Sequence, residues 1–305
     1  MNSINTSTYK DIPAVEVNTG SLRALFLPGY GGKLASLKDC KTGREILAQG
    51  PGKKYRPLDY AGKYTDAECS AFDDMFPTID RYFYNLPPWE GIEVPDHGEV
   101  CSLAWQYEVK NNSLHLWVYS PRFGYRFEKW IRSKKGELSV DYRVTNNTAF
   151  QFECLYGAHC MIAAEQGARI ETEFAEGSRA ALIFDTREKP GHYGKPVIWD
   201  AAWALTPPQS EKSAYKIFFT EPAKTGGCRY IYSDGSNITM RYSADKLPYL
   251  GIWFNCGSLN GLYNIAFEPC SGSYDRPDLA RMHNQYRTLE PYGVFEWSIS
   301  FHREL

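Results

Sequence analysis

One stretch of the 305-residue chain, Glu68 to Trp105, concentrates side chains that can move protons and hold a polar ligand. The carboxylates Asp73, Asp74, Asp80, Asp96 and Glu99, with Arg81 and His97, interleave with Phe72, Phe76, Tyr82, Phe83, Tyr84, Trp89 and Trp105. Pro77, Pro87, Pro88, Pro95, Gly91 and Gly98 keep the stretch from being a regular helix. A long irregular segment in a compact chain is usually functional or disordered, and this one is too aromatic for disorder. Hydrogen-bonding groups set between flat apolar rings suit a ligand with both hydroxyls and C–H faces, which describes a sugar.

Four constellations are able to carry chemistry. The first is Asp96-His97-Gly98-Glu99. Read as an entering strand, it puts His97 and Glu99 on one face. His-x-Glu offers two metal ligands, but no His-x-His or second His-x-Glu accompanies it, so no metal is expected. The second is His159 in Tyr156-Gly157-Ala158-His159, either a hydrogen-bonded core residue or a catalytic acid or base. The third is Glu268, which ends the apolar run Ile265-Ala266-Phe267. A carboxylate there needs a partner. At the mouth of a cavity, partial desolvation would make it a better base; otherwise it is a rim ion pair. In the fourth, Trp253 and Asn255 share a strand face and could stack on and hydrogen-bond a ligand, unless Trp253 is a core residue. His115, His192, His283 and His302 lack such a context and are expected at the surface. No nucleophile elbow, phosphate loop or dinucleotide fingerprint is present, and no cofactor is expected.

Strands must position these residues. With 22 Tyr, 16 Phe and 8 Trp, the composition favours a pleated, half-buried surface over helices. Strands are read at Ser21–Leu27, Lys33–Lys38, Trp105–Val109, Leu114–Val118, Tyr125–Arg132, Leu138–Val144, Tyr215–Phe219, Ile238–Tyr242, Tyr249–Asn255, Tyr263–Glu268 and Phe295–Phe301, most of them from alternation with period two, cleanest in Leu138–Val144. Asn111-Asn112, Lys134-Lys135-Gly136 and Asp234-Gly235 read as hairpin turns. The residues before Ser21 read as an extension and Ala48–Asp66 as loop. Arg44–Leu47 reads as a short strand and Phe150–Ile162 as one strand buried on both faces. Glu176–Gln209 reads as a long excursion, and only Asp278–Asn284 looks helical. The expectation is one all-β domain over residues 1–305, an antiparallel sandwich or barrel. A net charge of −2 gives no reason to expect nucleic acid, and no apolar run approaches the roughly 20 residues of a membrane span. Eight scattered cysteines without a C-x-x-C pair, and no basic-then-apolar leader, point to buried thiols in the cytosol.

Together the constellations resemble the aldose 1-epimerase (galactose mutarotase-like) family. The resemblance runs from Gly31-Gly32-Lys33-Leu34 and Thr42-Gly43-Arg44-Glu45, through Phe72-Asp73-Asp74-Met75-Phe76-Pro77-Thr78-Ile79 and Pro95-Asp96-His97-Gly98-Glu99. It continues with Gly157-Ala158-His159 before Glu165-Gln166-Gly167, Trp253-Phe254-Asn255, Phe267-Glu268-Pro269 and Leu289-Glu290-Pro291-Tyr292-Gly293. It implies a large antiparallel β-sandwich with a sugar cleft on a concave sheet, and interconversion of the α and β anomers of a small free sugar. Glu268 would take the proton from the anomeric hydroxyl, His159 would protonate the ring oxygen, and His97 would hydrogen-bond near the anomeric centre. Asp74 and Arg81 would bind sugar hydroxyls. The classical galactose enzymes carry His-Gly-Gly where this chain has Asp-His-Gly-Glu, so the sugar stays open. A lyase or hydrolase on the same sandwich, with Asp74 or Glu99 as second carboxylate, and a non-catalytic sugar binder are the alternatives.

Overall fold

The computed structural model describes residues 2–187 and 194–303, which build two large antiparallel sheets on a shared core. The larger sheet has eleven strands. In spatial order they are Ser3–Tyr9, Ile12–Asn18, Leu22–Leu27, Lys33–Asp39, Phe72–Met75, Gly157–Ala163, Tyr263–Cys270, Tyr249–Cys256, Ala214–Phe219, Arg179–Asp185 and Lys195–Ile198. The other has eight, in the order Arg169–Thr172, Gly227–Ile231, Asn237–Tyr242, Val294–His302, Glu137–Asn146, Tyr125–Lys134, Ser113–Tyr119 and Gln106–Lys110. This is the all-β sandwich that the alternation predicts. Among the described residues the one α-helix is Pro277–Met282, and no helix is long and apolar enough to cross a membrane.

The strands follow from side-chain pattern and turn chemistry. Leu138, Val140, Tyr142 and Val144 point into the core while their neighbours do not. Lys135 and Gly136, at φ 53° and 84°, form the left-handed turn that matches strand twist and sets the register with Tyr125–Lys134. Tyr142, Tyr156 and Trp297 stack between the sheets, with Trp297 5.1 Å from Tyr142 and 4.4 Å from Tyr156. The central strands Gly157–Ala163 and Tyr263–Cys270 are buried on both faces, which is why they read as continuous apolar runs.

Four expectations change. The N-terminal extension is a hairpin on the edge of the larger sheet, its tip formed by Lys10 and Asp11 at positive φ. Val15 and Val17 bury its inner face. The excursion at 176–209 contributes two strands to that sheet, because Ala180–Ile183 is apolar enough to be buried against Ala214–Phe219. Phe150–Ile162 splits, with Phe152–Cys154 pairing with Arg287–Leu289 before the chain enters the main sheet. Arg44–Leu47 makes only isolated bridges. All eight cysteines are free thiols, and six are buried.

Candidate active site

Register assembles the site. Asp73 pairs directly with His159 across two antiparallel strands. The pairs Gly157–Cys270 and Cys160–Phe267 bracket His159 and Glu268, so these two also lie side by side. Leu34 pairs with Phe72, which sets Lys33 beside Asp73, and the two form an ion pair. Lys33, Asp73, His159 and Glu268 thus make one row across four strands on one face of the larger sheet. All four are buried beneath the loops of that face.

Glu268 Oε1 lies 4.0 Å from His159 Nε2. Its other oxygen, Oε2, is 2.5 Å from Lys216 Nζ, and Lys216 hydrogen-bonds Asp275 Oδ1 at 2.7 Å. The Tyr64 hydroxyl donates to Asp73 Oδ2 at 2.7 Å and lies 3.3 Å from His159 Nδ1. With its one proton on the carboxylate, the Tyr64 oxygen accepts from His159 Nδ1–H. Neutral His159 therefore turns a bare Nε2 toward Glu268. His97 lies flat against Tyr64, ring centroids 3.6 Å apart and planes at 8°, with His159 5.2 Å away. Its Nδ1 meets Asp96 Oδ1 at 2.8 Å.

These surroundings separate the titrating groups. Burial is the largest influence on Glu268 and raises its pKa; Asp275 adds to this, Lys216 and His97 oppose it, and the result stays raised. Burial likewise pushes His159 well below the ordinary histidine value, helped by the positive charge of His97, Lys216 and Lys33. Burial alone would lower His97 as well. Asp96, with its hydrogen bond, and then Asp73 and Glu268 outweigh it and raise that pKa.

The structure brings His97, His159 and Glu268 together but corrects the local reading of the first. His97 is in a turn at φ 62°, not in a strand. Its amide donates to Ile79 O at 2.7 Å. A Cβ at the next residue, Gly98, would sit 2.2 Å from Phe76 O. The turn sends Glu99 away from His97 into the interior, where Tyr60, Ser120 and Tyr125 hydroxyls donate to it at 2.5, 2.7 and 2.9 Å.

The expected sugar contacts are placed unevenly. Trp253 shares the face of Glu268, packing on Ala48, Met161 and Ala266. Asn255 holds the turn that follows it, bonding Leu259 O at 3.0 Å and the Ser258 and Leu259 amides at 3.1 Å. Those bonds occupy the amide that was to meet the sugar. Arg81 is exposed and paired with Glu93 at 2.7 Å. Asp74 faces the opposite side of the sheet from Asp73 and meets Lys129 Nζ at 2.7 Å and the Tyr156 hydroxyl at 2.8 Å in the core. His115 stacks on Trp130 and His283 on Tyr274, while His192 lies outside the described residues. Sequence reasoning missed Tyr64, Lys216 and Asp275, and of the two adjacent aspartates it assigned the contact to Asp74, whereas Asp73 is the one beside His159. Lys216 had a usable signal: it is a lone charge in the apolar run Ala214–Phe219, the same anomaly that drew attention to His159.

No family model and no curated protein matches the chain. Solved structures do. The Slr1438 protein of Synechocystis sp. PCC 6803 superposes with a TM-score of 0.69 at 16% identity, covering 100% of this chain and 96% of that one. A galactose mutarotase-like protein of Clostridium acetobutylicum gives 0.67 at 14% identity, over 99% and 98%. A galactose mutarotase related enzyme of Lactobacillus acidophilus gives 0.68 at 12%, over 99% and 98%. At such identities the likeness is one of fold, and the fold of this chain is that of the galactose mutarotase-like proteins.

Proposed function

We propose that this chain is an aldose 1-epimerase acting on a small free sugar at the face of the larger sheet that carries Asp73, His159 and Glu268. The observation that carries the reading is the 4.0 Å separation of Glu268 Oε1 and His159 Nε2, which sets two acceptors side by side, one for the anomeric hydroxyl and one for a second hydroxyl of the same sugar. Glu268 takes the proton of the anomeric hydroxyl; the C1–O5 bond breaks, its electrons go to the ring oxygen, and an imidazolium protonates that oxygen. Rotation about C1–C2 and reversal of the two transfers give the other anomer. Burial makes Glu268 the stronger base and His159 the weaker, while Asp96 favours the charged form of His97. The acid's proton therefore starts on His97 and His159 binds as a neutral acceptor, a change from the role that the resemblance implies. Trp253 supplies a ring for the sugar's C–H face. The interior bonding of Asp74 and Glu99 supports an isomerase over a hydrolase, which would need one of them beside the sugar.

The test is polarimetry on freshly dissolved single anomers of glucose, galactose and other aldoses. The wild-type protein should accelerate the approach to equilibrium for at least one sugar. Glu268→Gln should lose about 10²- to 10⁴-fold while keeping its circular dichroism spectrum. Unchanged turnover in that variant would sink the reading.

A further inference from the structure

We infer that Lys216 is a positioning residue for proton transfer: its ammonium reaches across Gly251 to hold Glu268 by one oxygen, leaving the other for the sugar, and Asp275 sets how strongly it holds. The inference rests on the epimerase reading of the same site.

Lys216 lies in a strand buried at every position, where an unpaired cation carries a large desolvation penalty. Its direct cross-strand partner is Trp253, whereas Glu268 pairs with Gly251. To reach Glu268 the lysine must cross the Tyr249–Cys256 strand diagonally. Gly251 lies on that path: a Cβ there would be 3.3 Å from Lys216 Cε and 3.1 Å from Phe218 Cζ. The Phe218 ring, 5.0 Å from Nζ, supports the ammonium. The result divides the carboxylate. Oε2 is held at 2.5 Å, and Oε1 is left facing His159 across the gap.

Asp275 links this arrangement to the other half of the site. Its carboxylate holds Lys216, and its backbone oxygen accepts from the Ile79 and Asp80 amides at 3.0 and 2.9 Å. Ile79 O in turn accepts from the His97 amide at 2.7 Å. One bonded path thus runs from Glu268 through Lys216, Asp275 and Ile79 to His97. Two carboxylates around the ammonium keep it protonated, so the amine is not a nucleophile for the open-chain aldehyde.

The groups facing Glu268 are Lys216, Asp275, His159 and His97. Lys216→Met keeps most of the stem and removes the charge, so Glu268 should protonate at higher pH. The acidic limb of the kcat/KM profile should then rise by about one to three pH units. Asp275→Asn removes a like charge and should move the same limb down. Opposite movements are not what a merely structural lysine would give. The Glu268 carboxyl, followed by ¹³C NMR and assigned with Glu268→Gln, should shift in the same two directions without any substrate. If both variants fold and the limb and the NMR titration stay at wild-type pH, the inference is overturned; if Lys216→Met fails to fold, Asp275→Asn decides by the same criterion. If the wild-type protein accelerates no aldose, the epimerase reading fails, and the NMR titration still decides what Lys216 does to Glu268.

Discussion

Asp73 and Asp74 are neighbours in one short strand, both buried and both paired with a lysine, yet they serve opposite faces of the larger sheet. Asp74 looks inward. Lys129 comes from the facing sheet to meet it, Tyr156 donates to it, and Trp105 and Phe26 flank the ammonium at 4.9 and 5.7 Å. That group is closed on itself. Asp73 looks toward the candidate site, where Lys33 and Tyr64 meet it, and Tyr64 continues to His159 by a hydrogen bond and to His97 by stacking. Burial and pairing alone therefore say little about function. What distinguishes the two carboxylates is whether the bonded network ends in the core or leads to the imidazoles of the candidate site.

The largest expected effect separates them by stability. Asp74→Ala leaves Lys129 buried between the sheets without its anion, at a cost of about 3–5 kcal/mol. Urea denaturation should show that loss, while turnover per folded molecule stays near wild type. A comparable fall in turnover with unchanged stability would mean that Asp74 serves the candidate site.

Asp73→Asn strands the buried Lys33 and so should also lower stability, but unlike the change at Asp74 it should lower turnover per folded molecule as well. It weakens a charge-assisted contact that orients Tyr64 and, through it, the tautomer of His159, for a loss of about 10- to 100-fold in kcat/KM. Its charge also helps to raise the pKa of His97. In the proposed mechanism activity is lost as pH rises through that value, so removing Asp73 should move the alkaline limb of the profile to lower pH. Asp74→Asn should leave that limb in place, and the difference between the two profiles is the measurement.

A smaller effect sharpens the core half. In a double-mutant cycle with Asp74→Asn and Lys129→Met, each single change strands the partner and the double change strands neither charge. The pair should cost less than the sum of the singles by about 0.5–3 kcal/mol. Additivity would show that the two groups are not coupled.

The same strand shows where the sequence was legible and where it was not. The long alternating runs specified the sandwich, and His159 and Glu268, charged residues in apolar strands, drew attention as site candidates because such positions are costly without a partner; the structure brings the two together. Phe72-Asp73-Asp74-Met75 offers no such guide. All four residues are buried, so alternation cannot say which aspartate faces His159 and which faces the other sheet, and a one-residue error in phase exchanges the two. His97 and Glu99 failed for a related reason: spacing of two implies a shared face only in a strand, and positive φ at His97 and Gly98 turns them apart. Tyr64 lay in a loop with no periodicity to place it. The strands in 3–18 and 179–198 were missed because the edge strands Ser3–Tyr9 and Lys195–Ile198 have no buried position to set a period, and Ala180–Ile183 is a short continuous apolar run without alternation.

Tyr64 provides the mildest and most specific test of the comparison, because it is where the Asp73 network passes from a static ion pair to the imidazoles. Tyr64→Phe keeps the ring that stacks on His97 at 3.6 Å and removes the hydroxyl between Asp73 and His159. The loss should be about 0.5–1.5 kcal/mol, or roughly 2- to 10-fold in kcat/KM. It should fall on kcat, since the hydroxyl orients His159 through its far nitrogen and does not itself meet the sugar. His159 freed of this bond can adopt the tautomer with Nε2 protonated, in which it donates toward Glu268 instead of accepting from the sugar. Imidazole ¹⁵N shifts would show that change directly, with the Nδ1-protonated form prevailing in the wild-type protein and a mixture in the variant. If the tautomer and kcat are both unchanged, Asp73 is as closed as Asp74, and the contrast between the two faces of the strand dissolves.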